Sequence, residues 1–146
     1  MTVTLRGEVV AQRIRQALPE ALEEVRGDLV YVAPQRIADV CRFLREDTEL
    51  DMQMLVGLDA VDFIDRFELR YGLLSIRKNH RAVLKVRLWG REEPAAPSVT
   101  PIWEGANLQE REIYDLMGVH FEGHPNMKRV MLWEGFPGHP LRKDFR

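Results

Sequence analysis

Residues 81–89 alternate between two sets of side chains, and this alternation restricts the fold more than any other feature of the chain. One set is uniformly apolar and consists of Ala82, Leu84, Val86 and Leu88. The set between them is more polar and consists of Val83, Lys85, Arg87 and Trp89. Because successive side chains of a strand point to opposite faces, the pattern predicts a strand with one face on a core and one wetter face.

Two further strands are predicted immediately before this one. Residues 52–61 are largely apolar and suggest a strand buried on both faces, and residues 66–76 suggest another. The polar segment 77–80 has the length and polarity of a hairpin turn. Together these runs predict an antiparallel meander.

The N-terminal region shows helical spacing instead. Residues 8–18 form an amphipathic pattern, and a short helical stretch is predicted at 19–26 because it opens with Pro19 and stops at Gly27. A short β-rich run follows at 28–32. The next helix is predicted to begin near Pro34 and to carry an apolar face composed of Ile37, Val40, Cys41 and Leu44.

This order of elements predicts a two-layer α+β domain, with N-terminal helices on a mainly antiparallel sheet and then a helix and an extended C-terminal strap. The segment 91–101 carries three prolines and breaks the pattern. We therefore expect a core domain over 1–101 and a helix with an irregular tail over 102–146.

Composition excludes several classes of function. The chain has 146 residues and a formal net charge of -2, so it has no global basic field to attract nucleic acid. It has no apolar run long enough to span a bilayer, and its charged start lacks the apolar core of a secretory signal. We expect a cytoplasmic protein, or one attached to a membrane through other proteins.

The single cysteine excludes an intramolecular disulfide and a standard iron–sulfur cluster, which several thiolates normally hold. Cys41 lies on the apolar side of its helical pattern. We therefore expect a buried structural thiol.

Residues 107–118 have residues typical of helix termini at both ends. Asn107 is predicted to cap the first turn with Glu110 completing a capping box, and Gly118 suits the position after the last turn. Four charges lie within the helix, at Glu110, Arg111, Glu112 and Asp115. This density is typical of a solvated face or of a face that meets another protein through ion pairs.

The segment after Gly118 has almost no periodicity, yet it is rich in glycine, proline and aromatic residues. An irregular segment of this length cannot easily satisfy its own backbone groups or bury its own aromatics. Disordered tails are usually poor in aromatics. We therefore favour an ordered strap against a partner surface over disorder.

The sequence evidence for a catalytic or metal site is weaker than that for a partner interface. His120, His124 and His139 suggest a metal-dependent hydrolase as one alternative, but the repeated Gly-His-Pro favours turns with a hydrogen-bonding histidine. The group Asp59, Asp62 and Asp65 is typical of strand ends and turns rather than of a catalytic pair. The basic cluster Arg142, Lys143 and Arg146 favours a docking contact.

Several ordered blocks of the C-terminal third resemble one family. The blocks are EREIYDLMG at 110–118, FEGHP at 121–125, the basic pair at 128–129 and GHPLRKDF at 138–145. They resemble the signature of the thirty-kilodalton subunit of bacterial NADH–quinone oxidoreductase (respiratory complex I). Residues 102–112 and the central strand near 52–63 are also similar, so the resemblance spans most of the chain.

The resemblance implies an α/β fold with a C-terminal extension that wraps neighbouring subunits, and no catalytic residue, metal or cofactor in this chain. NADH, flavin, iron–sulfur clusters and quinone would belong to the rest of the complex. The implied partners are the quinone-site and iron–sulfur subunits, at the cytoplasmic face of the membrane. The residues expected to contact partners are Glu110, Arg111, Glu112, Tyr114, Asp115, Gly118, Phe121, Gly123, His124, Pro125, Arg129, Gly138, His139, Pro140, Leu141, Arg142, Lys143 and Asp144.

The implied role is scaffolding, in which the core domain folds alone and the helix and tail dock on partners. Two alternatives remain besides the hydrolase. One is the equivalent subunit of a related membrane-bound hydrogenase or ferredoxin- or coenzyme-linked dehydrogenase. The other is a free-standing regulatory binding module.

Overall fold

The computed structural model describes residues 2–133 and 135–145. Three α-helices are present in this part of the chain: α1 (Gly7–Ala17), α2 (Ile37–Glu46) and α3 (Ala106–Met117). The strands are β1 (Val3–Thr4), β2 (Leu22–Arg26), β3 (Leu29–Val32), β4 (Met54–Asp62), β5 (Arg66–Ser75), β6 (His80–Trp89), β7 (Ala95–Pro97) and β8 (His120–Glu122).

The main sheet has the strand order β2-β3-β6-β5-β4, and β1 also pairs with β6. The pairs β2–β3, β4–β5 and β5–β6 are antiparallel, whereas β3–β6 and β1–β6 are parallel. The long β5–β6 hairpin places Leu69 opposite Val86 and Tyr71 opposite Leu84. The alternation of β6 therefore forms one face of the core, as the sequence predicts.

The helices cover this apolar face. Helix α1 packs against β2, β3 and β6, and α3 packs against β4. The fully buried side chains between these layers include Ile14, Ile37, Leu44, Phe67, Leu69, Tyr71, Leu73 and Leu84. The predicted α+β fold with helices on a mainly antiparallel sheet is confirmed.

Side chains from both predicted segments share this core. Ile102, Trp103, Ile113 and Met117 belong to the same buried cluster as Phe67 and its neighbours. The division of the chain near residue 101 stays a prediction.

The predicted helix at 19–26 is wrong. Only a 3-10 turn forms at Pro19–Ala21, and the chain then enters strand β2, which pairs with β3. Gly27, with φ of +59°, turns the β2–β3 hairpin instead of ending a helix.

The prediction that the strand at 52–61 is buried on both faces is also wrong. Strand β4 lies at the edge of the sheet, and its burial alternates. Leu55 and Leu58 face the core, whereas Val56 and Val61 are exposed. One face of β4 therefore packs on the core, and its other face is exposed to solvent.

Within the part of the chain that the structure describes, no helix has the length and apolar character needed to cross a membrane.

Candidate partner interface

The C-terminal segment folds back on its own domain. Strand β8 pairs in parallel with β7, and the backbone N–H of His120 donates to the carbonyl of Pro94. Beyond β8 the chain is irregular and runs beside α3. Gly118 ends α3 with φ of +78°, as predicted for a left-handed C-terminal position.

The carboxylate of Asp115 holds the middle of this tail. One oxygen, Oδ2, accepts the consecutive backbone N–H groups of Val130, Met131 and Leu132 at 2.8–3.1 Å. The other, Oδ1, pairs with the guanidinium of Arg129 at 2.9 Å. Burial alone would raise the pKa of Asp115, but these donors outweigh burial and hold the pKa below its ordinary value.

Arg129 and His139 extend this arrangement to the next loop of the tail. Arg129 also donates to the carbonyl of Gly138 at 2.9 Å. The ring Nδ1–H of His139 donates to the backbone carbonyl of Asp115 at 2.9 Å. Several backbone groups of the irregular segment therefore find partners within the same domain, from the carboxylate of Asp115 and the guanidinium of Arg129, rather than on a partner protein.

A second carboxylate, Asp62 at the end of β4, holds the far end of the tail. It forms a two-pronged pair with Arg91 at 2.7 Å and accepts the backbone N–H of Lys143 at 2.8 Å. The Arg91 guanidinium and these backbone donors hold the pKa of Asp62 well below its usual range despite burial. The guanidinium groups of Arg91 and Arg142 both lie over the ring of Phe67, at 5.2 and 5.1 Å.

Glu110 does not form the predicted capping box. Helix α3 begins at Ala106 without a side-chain cap, and Glu110 is completely buried. Its carboxyl group accepts the hydroxyl of Ser98 at 2.6 Å and the backbone N–H of Val99 at 2.8 Å. Burial raises the pKa of Glu110 to about 7, although these two donors oppose the shift.

His124 lies in a turn, as the Gly-His-Pro pattern predicts. Its Nε2–H donates to the carbonyl of Asn107 at 3.1 Å, and its Nδ1 accepts the backbone N–H of Asn126 at 2.9 Å. Nε2 also lies 4.0 Å from Oε1 of Glu110, and both side chains are fully buried. His120 stands apart at an exposed position, with its ring 5.1 Å from that of Tyr114.

Over residues 2–133 and 135–145, no three histidine, cysteine, aspartate or glutamate side chains group as a metal site requires. The ring nitrogens of His124 and Nδ1 of His139 are instead engaged with the backbone. Cys41 is buried, as predicted, and burial raises the pKa of its thiol.

The predicted contact residues therefore divide into three groups. Glu110, Asp115, Gly118 and Phe121 are buried within the chain and organise the tail. The exposed members are Glu112, Gly123, Pro125, Gly138, Leu141, Lys143 and Asp144. The half-buried members are Arg111, Tyr114, Arg129, His139, Pro140 and Arg142, together with His124, of which the backbone is partly exposed and the side chain is buried. Arg146 of the predicted basic cluster lies outside the described residues.

The structure adds an exposed apolar surface of which the predicted set contains only Leu141. Met131 is 62% exposed, Trp133 is 65% exposed, and Leu141 and Phe145 are also exposed. The rings of Trp133 and Phe136 meet edge to face at 4.7 Å between centroids, and Phe136 stacks on Phe145. The aromatic content of the tail is the sequence signal for this surface. For Asp62, Arg91 and Ser98, which anchor the segment from inside, spacing along the sequence offers no signal.

The fold and this surface define a small α+β domain whose ordered C-terminal segment presents apolar side chains to solvent. The family model described as "Respiratory-chain NADH dehydrogenase, 30 Kd subunit" matches residues 30–146. The chain belongs to this family.

Relatives in bacteria and mitochondria support the assignment. An NADH-quinone oxidoreductase subunit from Roseiflexus castenholzii is 47% identical over 97% of this chain and 85% of the relative. The corresponding subunit from Rhodobacter capsulatus is 44% identical over 84% of this chain and 63% of the relative. The mitochondrial NADH-ubiquinone oxidoreductase 30.4 kDa subunit of Neurospora crassa is 44% identical over 80% of this chain and 41% of its own length.

A solved structure has the same fold. A chain of the membrane-bound sulfane sulfur reductase, an archaeal respiratory membrane complex, superposes with a TM-score of 0.78 at 27% identity. The superposition covers 96% of this chain and 85% of that chain.

Proposed function

We propose that the chain is a non-catalytic structural subunit of the hydrophilic arm of an NADH–quinone oxidoreductase. Its C-terminal surface braces the quinone-site and iron–sulfur subunits while electrons pass from NADH to quinone, coupled to ion translocation. NADH, flavin, iron–sulfur clusters and quinone are held by other subunits. The protein is peripheral, at the cytoplasmic face of the membrane, and reaches the membrane only through its partners.

The observation that carries this proposal is that side chains of the domain hold the tail by hydrogen bonds, while the solvent-facing side of the tail exposes apolar side chains. Asp115 and Asp62 engage backbone N–H groups at two points of the segment. The outer side exposes Met131 and Trp133. Side chains of these types anchor protein interfaces, and a surface that is ordered before docking loses less conformational entropy on binding.

A rigid brace supports turnover without taking part in chemistry. Electron transfer depends steeply on the distance between redox centres, so subunits that carry those centres must be held in fixed positions. The internal hydrogen bonds of the tail resist relative movement of whatever docks on it. The proposal thus assigns the chain a mechanical role in electron transfer.

The test is purification of the tagged full chain from native membranes, with mass spectrometry of the retained subunits. The double substitution Met131→Ser and Trp133→Ser removes exposed apolar area but no internal contact of Asp115. We expect it to reduce the recovered iron–sulfur and quinone-site subunits. The matched control is Ile76→Ser, which removes a side chain of 66% exposure from the β5–β6 turn.

Variants of two arginines, one in α3 and one in the tail, separate bracing from chemistry. Arg111 donates to the carbonyls of Lys128 and Arg129, and Arg142 donates to the carbonyl of Arg91. Arg111→Ala and Arg142→Ala should therefore lower the amount of assembled complex more than the turnover of each assembled complex. Normal assembly with reduced turnover would contradict the structural role.

A second candidate is the equivalent subunit of a related membrane-bound complex, such as a hydrogenase or a ferredoxin- or coenzyme-linked dehydrogenase. The fold shared with a chain of the sulfane sulfur reductase complex favours it. The higher identity to subunits of NADH-quinone oxidoreductases favours the first candidate. Recovery of an NADH-oxidising module in the purification supports the first, and recovery of a hydrogenase-like set supports the second.

A further inference from the structure

A small cavity lies between α3 and the irregular tail, on the outer side of the domain. Its volume is about 290 Å³. The residues that line it are Arg111, Tyr114, Met127, Lys128, Arg129 and Gly135. Among the described residues that line it, three of the six are cationic and none is an acid. We call this cavity the basic pocket.

The cations of the basic pocket differ in whether a negative charge neutralises them. Arg129 is paired with Asp115 at 2.9 Å. The guanidinium of Arg111 is fixed by the carbonyls of Lys128 and Arg129, at 3.0 and 3.3 Å, which carry no formal charge. Within residues 2–133 and 135–145, Nη1 of Arg111 and Nζ of Lys128 have neither a hydrogen bond nor an ion pair.

Carbonyl contacts orient Arg111 without cancelling its charge. Among the described residues, the pocket therefore keeps unused donors on two cations that form no ion pair, Arg111 and Lys128. The buried Asp115 cannot serve them, because its two oxygens already accept four donors from residues 129–132. Such a pocket suits an anion, and the planar guanidinium of Arg111 suits a carboxylate in particular.

We propose that the basic pocket receives an aspartate or glutamate side chain from the protein chain that docks on the tail. This inference rests on the proposed function and names the chemistry of its contact. A protein carboxylate is favoured over a free anion because the tail continues from the pocket into exposed Val130, Met131 and Trp133. A peptide segment with apolar residues beside its acid would cover both features, whereas a small anion would leave the apolar side chains in water.

Zero-length cross-linking of the purified complex tests the contact directly. A water-soluble carbodiimide joins an amine to a carboxylate only where the two groups touch. We expect an isopeptide bond between Lys128 and an aspartate or glutamate of another subunit. Lys78 is the internal control, since it is also exposed but lies in the β5–β6 turn. Cross-links from Lys128 only within its own chain would overturn the proposal.

Charge variants provide the second measurement. Lys128→Glu should reduce recovery of partner subunits by roughly tenfold or more, and Lys128→Met should reduce it less, because only the first introduces repulsion. Lys78→Glu should leave recovery unchanged. Equal recovery with Lys128→Glu and Lys78→Glu would also overturn the proposal.

The outcomes separate this inference from the function on which it rests. If the Met131 and Trp133 variants reduce assembly while the Lys128 variants do not, the brace stands and the carboxylate contact is wrong. If the unmodified chain retains no partner subunits, the proposed function itself fails. If millimolar succinate or phosphate protects Lys128 of the isolated full chain from acetylation, the pocket serves a free anion and the protein source is wrong.

Discussion

Replacing Asp115 by Asn tests whether one carboxylate orders the middle of the tail. The substitution keeps the shape of the side chain but leaves it only one oxygen. In the natural protein, the three backbone N–H groups of residues 130–132 and the guanidinium of Arg129 bind separate oxygens of Asp115. The single side-chain oxygen left in Asp115→Asn can accept only one of these two sets of donors. In either orientation, the new amide NH₂ group faces donors.

The magnitude follows from the contacts that are lost. A hydrogen bond to a charged group contributes about 1.5–3 kcal/mol, and removing one partner of a buried ion pair costs about 3–5 kcal/mol. Arg129 is 14% exposed and keeps the carbonyl of Gly138, so water and that contact offset part of the loss. We therefore expect Asp115→Asn to cost about 2–4 kcal/mol.

Hydrogen exchange measured by mass spectrometry shows which part of the chain loses stability in Asp115→Asn. If the tail opens while the core remains folded, exchange of the amides at 130–132 should accelerate by roughly 30- to 1,000-fold, since each 1.4 kcal/mol is tenfold. The control is Glu112→Gln, which makes the same chemical change at an exposed position of α3. Unchanged exchange at 130–132 in Asp115→Asn would refute the assignment of this carboxylate as the anchor.

Three other substitutions test the remaining anchors. Gly118→Ala places a Cβ 2.8 Å from the ring of His139 and should cost about 1–3 kcal/mol more than Gly123→Ala, which has similar φ but open space; equal unfolding free energies in urea would contradict this. Asp62→Asn should accelerate amide exchange near residue 143 without affecting 130–132, and loss at both places would contradict separate anchors. Glu110 has its pKa raised from 4.5 to about 7, so its contribution to stability is fullest below pH 4.5 and declines by about 3 kcal/mol as pH rises through 7. Glu110→Gln should remove this slope, and identical urea titrations of both proteins across pH 5 to 8 would refute it.

The parts of the fold that follow from local pattern can be predicted from the sequence. The alternation of β6 is a property of consecutive residues, and it identifies the core-facing side of the strand. The stretch 19–26 cannot be assigned locally, because a glycine after a short run is compatible with both a helix end and a hairpin turn. Residues 22–26 form a strand because they pair with β3, and this pairing cannot be inferred from the local sequence.

The same distinction applies to the candidate interface. The histidine turn at 123–125 is predictable because one of the contacts of His124 lies two residues away, at Asn126. Four charges in six positions are typical of a solvated face or of a face that meets another protein, so Glu110 and Asp115 are both expected at the surface of the domain. Their partners lie at 98–99 and 129–132, and only the tertiary fold brings these segments to the buried side of α3.

The buried carboxylates also explain why the tail can be irregular and still ordered. A regular strand or helix would satisfy its N–H groups along its own length, but it would impose one repeating surface. A carboxylate instead collects several N–H groups at one point and leaves the backbone between anchors free to follow another shape. Asp115 engages residues 129–132 and Asp62 engages residue 143. The segment that they hold exposes Trp133 and Phe145, whose rings meet that of Phe136 edge to face and in a stack, respectively. Because both anchors are buried, salt screens them weakly, and we expect the exposed apolar surface to keep its shape under conditions that weaken the exposed charges around it.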